Sequence, residues 1–136
     1  MKARVIVCSD SAAAGHTEDT TGPVLVAGLQ ELGCDVDGPA VVPDDVAAIA
    51  DAIAAAEADV IVCTGGTGLG PRDVTPDAVL SLIERELPGF GEAFRRVSWD
   101  EVGPRAILSR AVAGTRGRTV VVALPGSPNG VRTAVD

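Results

Sequence analysis

Residues 60–78 read VIVCTGGTGLGPRDVTPDA: an apolar run, a segment rich in glycine, and then a polar segment. The apolar run Val60–Thr64 is typical of a strand buried in a parallel sheet, and Thr75-Pro76 is typical of the cap and first residue of a helix. Between them, the four glycines in residues 65–70 leave backbone N–H groups open to a phosphate or a flat ring. This order predicts an α/β domain with a ligand site at the loop. We call residues 64–73 the glycine loop.

Strands and helices alternate along the rest of the chain. The predicted strands are Ala3–Cys8, Asp35–Val42, Val60–Thr64, Ala111–Ala113 and Thr119–Leu124, the last two forming a hairpin around a turn at 114–117. The predicted helices are Pro23–Leu32, residues 44 or 45 to Glu57, Pro76–Glu86, Phe90–Val97, Pro104–Leu108 and a last one opened by Pro125-Gly126-Ser127-Pro128. Gly38-Pro39 inside a strand indicates a sheet edge or a bulge. The pattern predicts a three-layer sandwich: a mostly parallel central sheet, helices on both faces, and a small β-hairpin.

Composition narrows the class of protein. The 136 residues suit one domain, and a net charge of −8 disfavours duplex nucleic acid or an anionic membrane as a partner. No apolar run approaches the roughly 20 residues of a membrane span, and the N-terminus lacks a signal-peptide plan. The three cysteines, Cys8, Cys34 and Cys63, have no metal-ligand spacing and are expected to be thiols, mostly buried. We therefore expect a cytoplasmic protein that binds neither nucleic acid nor membrane.

Several catalytic classes lack the residues they need. Lys2 is the only lysine and His16 the only histidine, which argues against a P-loop lysine, a Schiff base and a serine-protease-like triad. Aromatic residues make up only 2% of the chain, so stacking platforms for single-stranded nucleic acid are not expected. Phe90, Phe94 and Trp99 are expected to pack rather than to stack on a ligand.

The glycine loop also fails the dinucleotide-binding pattern. From Gly66 and Gly68, the third position of G-x-G-x-x-G falls on Pro71. A dinucleotide-binding oxidoreductase domain remains an alternative with a degenerate loop, and a plain tight turn is another.

The unusual residues collect at one edge of the predicted sheet. Ser9-Asp10, residues 43–45, the glycine loop and Pro125-Gly126-Ser127 each follow a predicted strand. In parallel sheets, ligands bind outside the carboxyl ends of the strands. This convergence predicts a binding site at that edge.

The chain resembles the molybdopterin adenylyltransferase family of molybdenum-cofactor biosynthesis, the MogA and MoaB type. The run Thr64–Ala78 is the most specific match. Weaker matches occur in the family's order at Ser9-Asp10 and at residues 42–45, 88–92, 106–111 and 124–128. The resemblance implies one molybdopterin-binding domain over residues 1–136 that lacks the C-terminal tail of other members. It also implies transfer of AMP from ATP to molybdopterin with Mg²⁺, a homotrimer or dimer of trimers, and a downstream metal-insertion enzyme as a possible partner.

The resemblance also implies roles for individual residues. Asp73 and Asp44 would be catalytic carboxylates that hold Mg²⁺, and Arg72 would be the cation for a phosphate or the transition state. Alternatively, Asp73 is a solvated turn residue paired with Arg72, Asp44 is a helix N-cap unless Asp45 takes that place, and Asp10 merely closes its loop. The candidate substrate and nucleotide contacts are Ser9, Asp10, Thr64, Gly65, Gly66, Thr67, Gly68, Ser109, Arg110, Pro125, Gly126 and Ser127.

A silent member that binds molybdopterin without turnover is the main alternative to the enzyme. Both Asp44 and Asp73 are present, and this favours the enzyme because a mere binder does not need two carboxylates beside a polyphosphate.

Overall fold

The computed structural model describes residues 1–126. The strands are β1 (Lys2–Cys8), β2 (Asp35–Val42), β3 (Val60–Thr64), β4 (Arg85–Glu86), β5 (Val112–Arg116) and β6 (Thr119–Leu124). The helices are α1 (Asp10–Ala13), α2 (Thr21–Glu31), α3 (Val46–Ala55), α4 (Thr75–Leu82) and α5 (Pro88–Val102), followed by a 3₁₀ helix (Gly103–Leu108). Ser127 and the predicted last helix lie outside the described residues.

The strands form one six-stranded sheet in the order β2-β1-β3-β6-β5-β4. The first four strands in this order are parallel, whereas β5 pairs antiparallel with both β6 and β4. The predicted edge position of the second strand is confirmed. Its register against β1 shifts opposite Gly38-Pro39, where a side chain at Gly38 would lie 2.5 Å from the Val5 carbonyl oxygen.

Two apolar cores lie on opposite faces of the sheet. One packs Ile49 and Ile53 of α3 and Val79 of α4 against the sheet, and the other packs Leu25 of α2 and Phe94 of α5 against the opposite face. The predicted three-layer α/β architecture is therefore confirmed. Within residues 1–126, the helices lack the length and apolarity that a bilayer crossing requires.

The prediction of a helix over Pro76–Glu86 is wrong at both ends. The helix begins one residue earlier, at Thr75, and ends at Leu82. The chain then pairs with β5, because the Glu84 N–H donates to the Thr115 carbonyl at 2.7 Å and the Leu87 N–H donates to the Ala113 carbonyl at 2.8 Å. Tertiary strand pairing has overridden the helical preference of these residues.

The hairpin turn also differs from its prediction. Gly114 lies inside β5, and the tight turn falls later, where Gly117 has φ +59°. A side chain at Gly114 would come within 2.4 Å of the Ile83 side chain, so this glycine serves close packing rather than a turn.

The two short helices predicted around residue 100 differ in length from the observed ones. The first extends from Pro88 to Val102 and ends at Gly103, which has φ +67°. Phe90 and Phe94 stack with ring centroids 6.2 Å apart, as expected of packing residues. Trp99 does not follow that expectation, because 49% of its surface is exposed. The region predicted as a loop after β1 contains the one-turn helix α1.

Truncation of a core residue tests the packing of α3. Ile49 is fully buried, so Ile49→Ala is expected to lower the free energy of unfolding by about 2–5 kcal/mol through lost burial and a residual cavity. Val46→Ala on the same helix, at a residue 40% exposed, is expected to change it by no more than about 0.5 kcal/mol. Urea denaturation measures both. Equal losses in the two variants would contradict the described burial of α3.

Candidate active site

The site lies at the carboxyl edge of the sheet, where β1 and β3 end side by side. Val7 pairs with Thr64, and Thr64 in turn pairs with Leu124 at the end of β6. The chain leaves β1 toward α2 on one face and leaves β3 toward α4 on the other. Diverging connections of this kind open a crevice between two strands, which is where α/β sheets bind ligands.

The glycine loop crosses directly over the end of β1. Gly65 has φ +98°, and a side chain there would lie 2.4 Å from the Cys8 carbonyl oxygen. The Gly65 N–H is itself bound to the Leu124 carbonyl at 2.9 Å. At Gly66, with φ +65°, a side chain would lie 2.6 Å from the Thr75 hydroxyl. Both positions therefore require glycine for close approach as well as for conformation.

A cavity of about 320 Å³ occupies this crevice. Six predicted site residues line it, namely Ser9, Asp44, Thr64, Gly65, Gly66 and Gly126. The other described candidates lie around it rather than in its lining, and Ser127 lies outside the described residues. The predicted convergence of β1, β2, β3 and β6 ends is present in the structure.

Asp10 and Asp44 are joined by two reciprocal hydrogen bonds, each from the backbone N–H of one residue to the carboxylate of the other. The Asp10 N–H donates to Asp44 Oδ2 at 3.0 Å, and the Asp44 N–H donates to Asp10 Oδ1 at 2.9 Å. The neighbouring Asp45 caps α3 by accepting the Ala48 N–H at 2.9 Å. Asp44 is thereby free of the capping role, as the alternative involving Asp45 required.

Arg72 pairs with Asp10 and not with Asp73. Its Nε donates to Asp10 Oδ2 at 3.0 Å and its Nη2 donates to Asp10 Oδ1 at 3.1 Å, a two-point contact. The alternative in which Arg72 neutralises Asp73 is wrong for this structure. The Arg72 side chain is 67% exposed, so its charge remains accessible to a ligand arriving from solvent.

Asp73 closes a turn at the end of the glycine loop. Its Oδ2 accepts the Gly70 N–H at 2.9 Å, and its own N–H donates to the Gly70 carbonyl at 3.1 Å. Asp73 also lies close enough to Asp44 for its negative charge to act on that carboxyl. The turn of that alternative is thus observed, whereas its pairing with Arg72 is not.

The pKa values of the two interacting aspartates move in opposite directions. The hydrogen bonds from Arg72, followed by the one from the Asp44 N–H, hold the pKa of Asp10 below its ordinary value. Burial raises the pKa of Asp44, and the charges of Asp10 and Asp73 raise it further. Asp10 is therefore a carboxylate anion near pH 7. The charged form of Asp44 is disfavoured by burial, so a cation bound beside it would stabilise that form more.

Two buried oxygens lie close to Gly66. Among residues 1–126, Asp44 Oδ1 and Thr75 Oγ1 have no hydrogen-bond partner. Both lie near the position a Gly66 side chain would take, at 3.2 and 2.6 Å respectively. A buried carboxylate oxygen without a partner is costly, which indicates that a ligand, cation or water completes this place.

The carboxylates fit a hard cation only in part. In the described part of the chain, no three His, Cys, Asp or Glu side chains gather into a metal-binding group. Mg²⁺ is commonly held by one or two carboxylates together with substrate phosphates and water. Asp44, with its unpartnered oxygen, and Asp73, whose charge acts on Asp44, suit that kind of site, in which a phosphate substrate supplies the remaining ligands.

Several predicted contact residues have structural partners instead. The Thr64 hydroxyl donates to the Pro125 carbonyl at 3.0 Å and is fully buried. Ser109 accepts the Ala111 N–H at 3.3 Å. The carbonyls of Thr67 and Gly68 each accept a hydrogen bond from Arg110. Their role as substrate contacts stays a prediction.

Residues 17–21 form a wall of the cavity that the sequence analysis missed. Asp19 shapes this wall: its Oδ1 accepts the N–H groups of Thr21 at 3.1 Å and Gly22 at 2.9 Å at the start of α2. An aspartate two and three residues before helical N–H groups is a turn signal readable from sequence. Cys8 also lines the cavity, and its hydrogen bond with buried Cys63 lowers its pKa.

Comparison with known proteins identifies the family. The family model described as "Probable molybdopterin binding domain" matches residues 4–136. The chain belongs to this family. The chain is 44% identical over 140 residues to a Pyrococcus furiosus protein named "Molybdopterin adenylyltransferase", with 97% of this chain and 81% of that protein covered. It is 39% identical over 143 residues to the Bacillus cereus "Molybdenum cofactor biosynthesis protein B", with 100% and 82% covered.

A solved structure agrees with the architecture of the chain. A molybdopterin biosynthesis protein from Mycobacterium abscessus superimposes with a TM-score of 0.93 at 40% identity, covering 98% of this chain and 86% of that one. The resemblance drawn from the glycine loop is therefore confirmed at the level of family and fold.

Removal of the Arg72 charge tests the electrostatics of this site. Arg72→Gln is expected to raise the pKa of Asp10, because it removes the hydrogen bonds that lower that value, and also that of Asp44, which the Arg72 charge lowers. Carboxyl ¹³C NMR titration measures both, with the exposed Arg96→Gln as control. An unchanged Asp10 titration would contradict the pairing.

The pKa shifts of Asp10 and Asp44 also predict how the stability of the fold changes with pH. The folded-state pKa of Asp10 lies below its unfolded-state value, so the pair with Arg72 stabilises the fold above the unfolded-state pKa and ceases to do so as pH falls through the folded-state pKa. Asp44, whose pKa is raised, contributes stability at low pH that is lost as pH rises through its folded-state pKa.

Proposed function

We propose that this protein is a molybdopterin adenylyltransferase, which transfers AMP from ATP to the terminal phosphate of molybdopterin and releases pyrophosphate. The observation that carries the proposal is Asp44 Oδ1, a buried carboxylate oxygen without a partner in residues 1–126, at a cavity between the ends of β1 and β3. Family membership and the 44% identical relative of that name support it.

The proposed reaction makes modest demands on acid–base chemistry. An oxygen of the molybdopterin phosphate attacks the α-phosphorus of ATP, and the bond from that phosphorus to the bridging oxygen of the β-phosphate breaks. A phosphate monoester has a second pKa of about 6, so the nucleophile is already mostly ionised at pH 7. A strong general base is unnecessary, which is consistent with a cavity lined by carboxylates, hydroxyls and backbone.

The greater demand is to bring two polyanions together. The Gly65 N–H is already bound to the Leu124 carbonyl, so the loop would meet phosphate oxygens through later N–H groups such as that of Gly66, which carries no side chain. Arg72 is exposed and can share its guanidinium between Asp10 and an incoming phosphate. Phosphoryl-type transfer depends mainly on such positioning and charge stabilisation.

Asp44 and Asp73 would hold the magnesium ion that accompanies ATP. When bound, Mg²⁺ neutralises phosphate charge and helps to orient the reacting groups. Asp44 offers an oxygen that lacks a partner in the described chain, and the negative charge of Asp73 acts on the same carboxyl. The burial that raises the pKa of Asp44 is the condition under which a cation is most favourable beside it.

The family resemblance extends the proposal to the protein's surroundings. We expect a cytoplasmic homotrimer or dimer of trimers whose adenylylated product passes to a metal-insertion enzyme. Neither a nucleic acid nor a membrane partner is part of the proposal.

A direct assay tests the reaction. The protein is incubated with molybdopterin, ATP and Mg²⁺, and pyrophosphate release is followed; release that depends on all three supports the proposal. Calorimetric binding of molybdopterin by folded protein without release would instead identify a silent binder. Binding of NAD but not molybdopterin would favour the dinucleotide alternative.

Substitution of Asp73 tests its proposed catalytic role. Asp73→Asn removes the charge but keeps an oxygen for the Gly70 N–H, so turnover is expected to fall by about 10²-fold or more while molybdopterin still binds. The control is Asp100→Asn at the exposed face of α5, which is expected to leave turnover unchanged. Loss of binding or folding in Asp73→Asn would mean that Asp73 has a structural role.

A further inference from the structure

Arg110, in the segment before β5, contacts both the glycine loop and helix α4. Its backbone N–H donates to the Thr67 carbonyl at 2.8 Å, and its Nε donates to the Gly68 carbonyl at 2.9 Å. Its Nη2 donates to the Asp73 carbonyl. One residue from the segment before β5 thus binds both the middle and the end of the loop.

The guanidinium of Arg110 also contacts a side chain of α4. Nη1 and Nη2 lie 3.3–3.4 Å from the carboxylate oxygens of Asp77, which is in the first turn of that helix. The charge of Arg110 is therefore balanced by Asp77, and its donors are used within the protein. This arrangement differs from that of Arg72, whose side chain is 67% exposed, against 35% for Arg110.

These contacts bear directly on Asp73. The backbone of Asp73 is held by Arg110, while its side chain is held by the Gly70 N–H. Side chains at Gly68 or Gly70 would each lie 2.8 Å from Asp73 Oδ2, so the loop folds tightly around this carboxylate. The direction of the Asp73 carboxylate consequently depends on a loop shape that glycines permit but do not by themselves maintain.

We infer that Arg110 is a positioning residue: its guanidinium maintains the glycine loop through the Gly68 and Asp73 carbonyls and so fixes the place of Asp73 at the end of the loop. This inference rests on the proposed function for its catalytic consequence. It revises the expectation that Arg110 contacts substrate, because its donors already have protein partners. A planar guanidinium can serve two carbonyls and a carboxylate together, whereas a lysine ammonium is a single point on a flexible stem.

Steady-state kinetics test the consequence for turnover. Arg110→Lys and Arg110→Met are expected to lower kcat for pyrophosphate release by about 10- to 100-fold, the range for losing hydrogen bonds to a charged group, with KM for ATP changed less than about threefold. Asp77→Asn leaves the carbonyl contacts in place and is expected to have a smaller effect. The matched control is Arg96→Lys on the exposed face of α5, expected to retain full kcat.

Hydrogen–deuterium exchange tests the loop without reference to activity. In Arg110→Lys and Arg110→Met, the amides of residues 65–73 are expected to exchange about tenfold faster or more, while those of β1 and β3 keep their wild-type protection. Arg96→Lys is expected to leave both regions unchanged. Because this readout needs no substrate, it separates the fate of the inference from that of the proposed reaction.

The outcomes are distinct. A lower kcat with faster exchange confined to the loop supports the inference. A raised KM with unchanged loop exchange would mean that Arg110 contacts ATP, and unchanged loop exchange in general overturns the positioning role. Faster exchange throughout the sheet, with normal kcat per folded molecule, would mean that Arg110 stabilises the fold as a whole and does not position the loop. Absence of pyrophosphate release in the wild type would reject the adenylyltransferase proposal, and loop exchange would still decide whether Arg110 maintains the loop.

Discussion

The close crossing of the glycine loop over the end of β1 is the constraint on which the site depends. The Cys8 carbonyl lies so near Gly65 that any side chain there would collide with it, and the same loop is fixed to β6 through the Leu124 carbonyl. Three parallel strands thus end at one place, and the connections after β1 and β3 diverge to opposite faces. Cavity, carboxylates and loop N–H groups all follow from that crossing.

Around the crossing, charge is arranged asymmetrically. The Asp10 carboxylate is paired with the Arg72 guanidinium and accepts the Asp44 N–H, so its negative charge is stabilised. The Asp44 carboxylate accepts the Asp10 N–H through Oδ2, but its buried Oδ1 has no partner in residues 1–126. Two neighbouring aspartates therefore have different chemical capacities, and the difference arises from burial and partners rather than from residue type.

Local patterns predicted most of the fold, because most of it follows from local chemistry. The predicted limits of β3, an apolar run, and of the weaker strand β2 agree with the observed ones, and Asp45 is the cap that frees Asp44, as one alternative predicts. The errors lie where distant contacts decide. β4 forms from residues with helical preference because β5 is there to pair with, and Gly114 is a packing glycine because Ile83 lies over it.

The candidate site shows the same division. Position at the carboxyl edge could be predicted, since strand ends converge in any parallel sheet. The partner of Arg72 could not, because Asp10 is 62 residues away and Asp73 is adjacent. The internal partners of Arg110 were likewise hidden in sequence, because they come from segments more than 30 residues away.

The two outer strands of the sheet bear on how the chain can associate. On one side, β2 contains Pro39, which has no N–H to offer a neighbouring strand, and on the other, β4 is only two residues long and consists of exposed Arg85 and Glu86. Short, charged or proline-interrupted borders are poor templates for recruiting another β-segment. The described sheet therefore resists lengthening by strand addition from a second molecule.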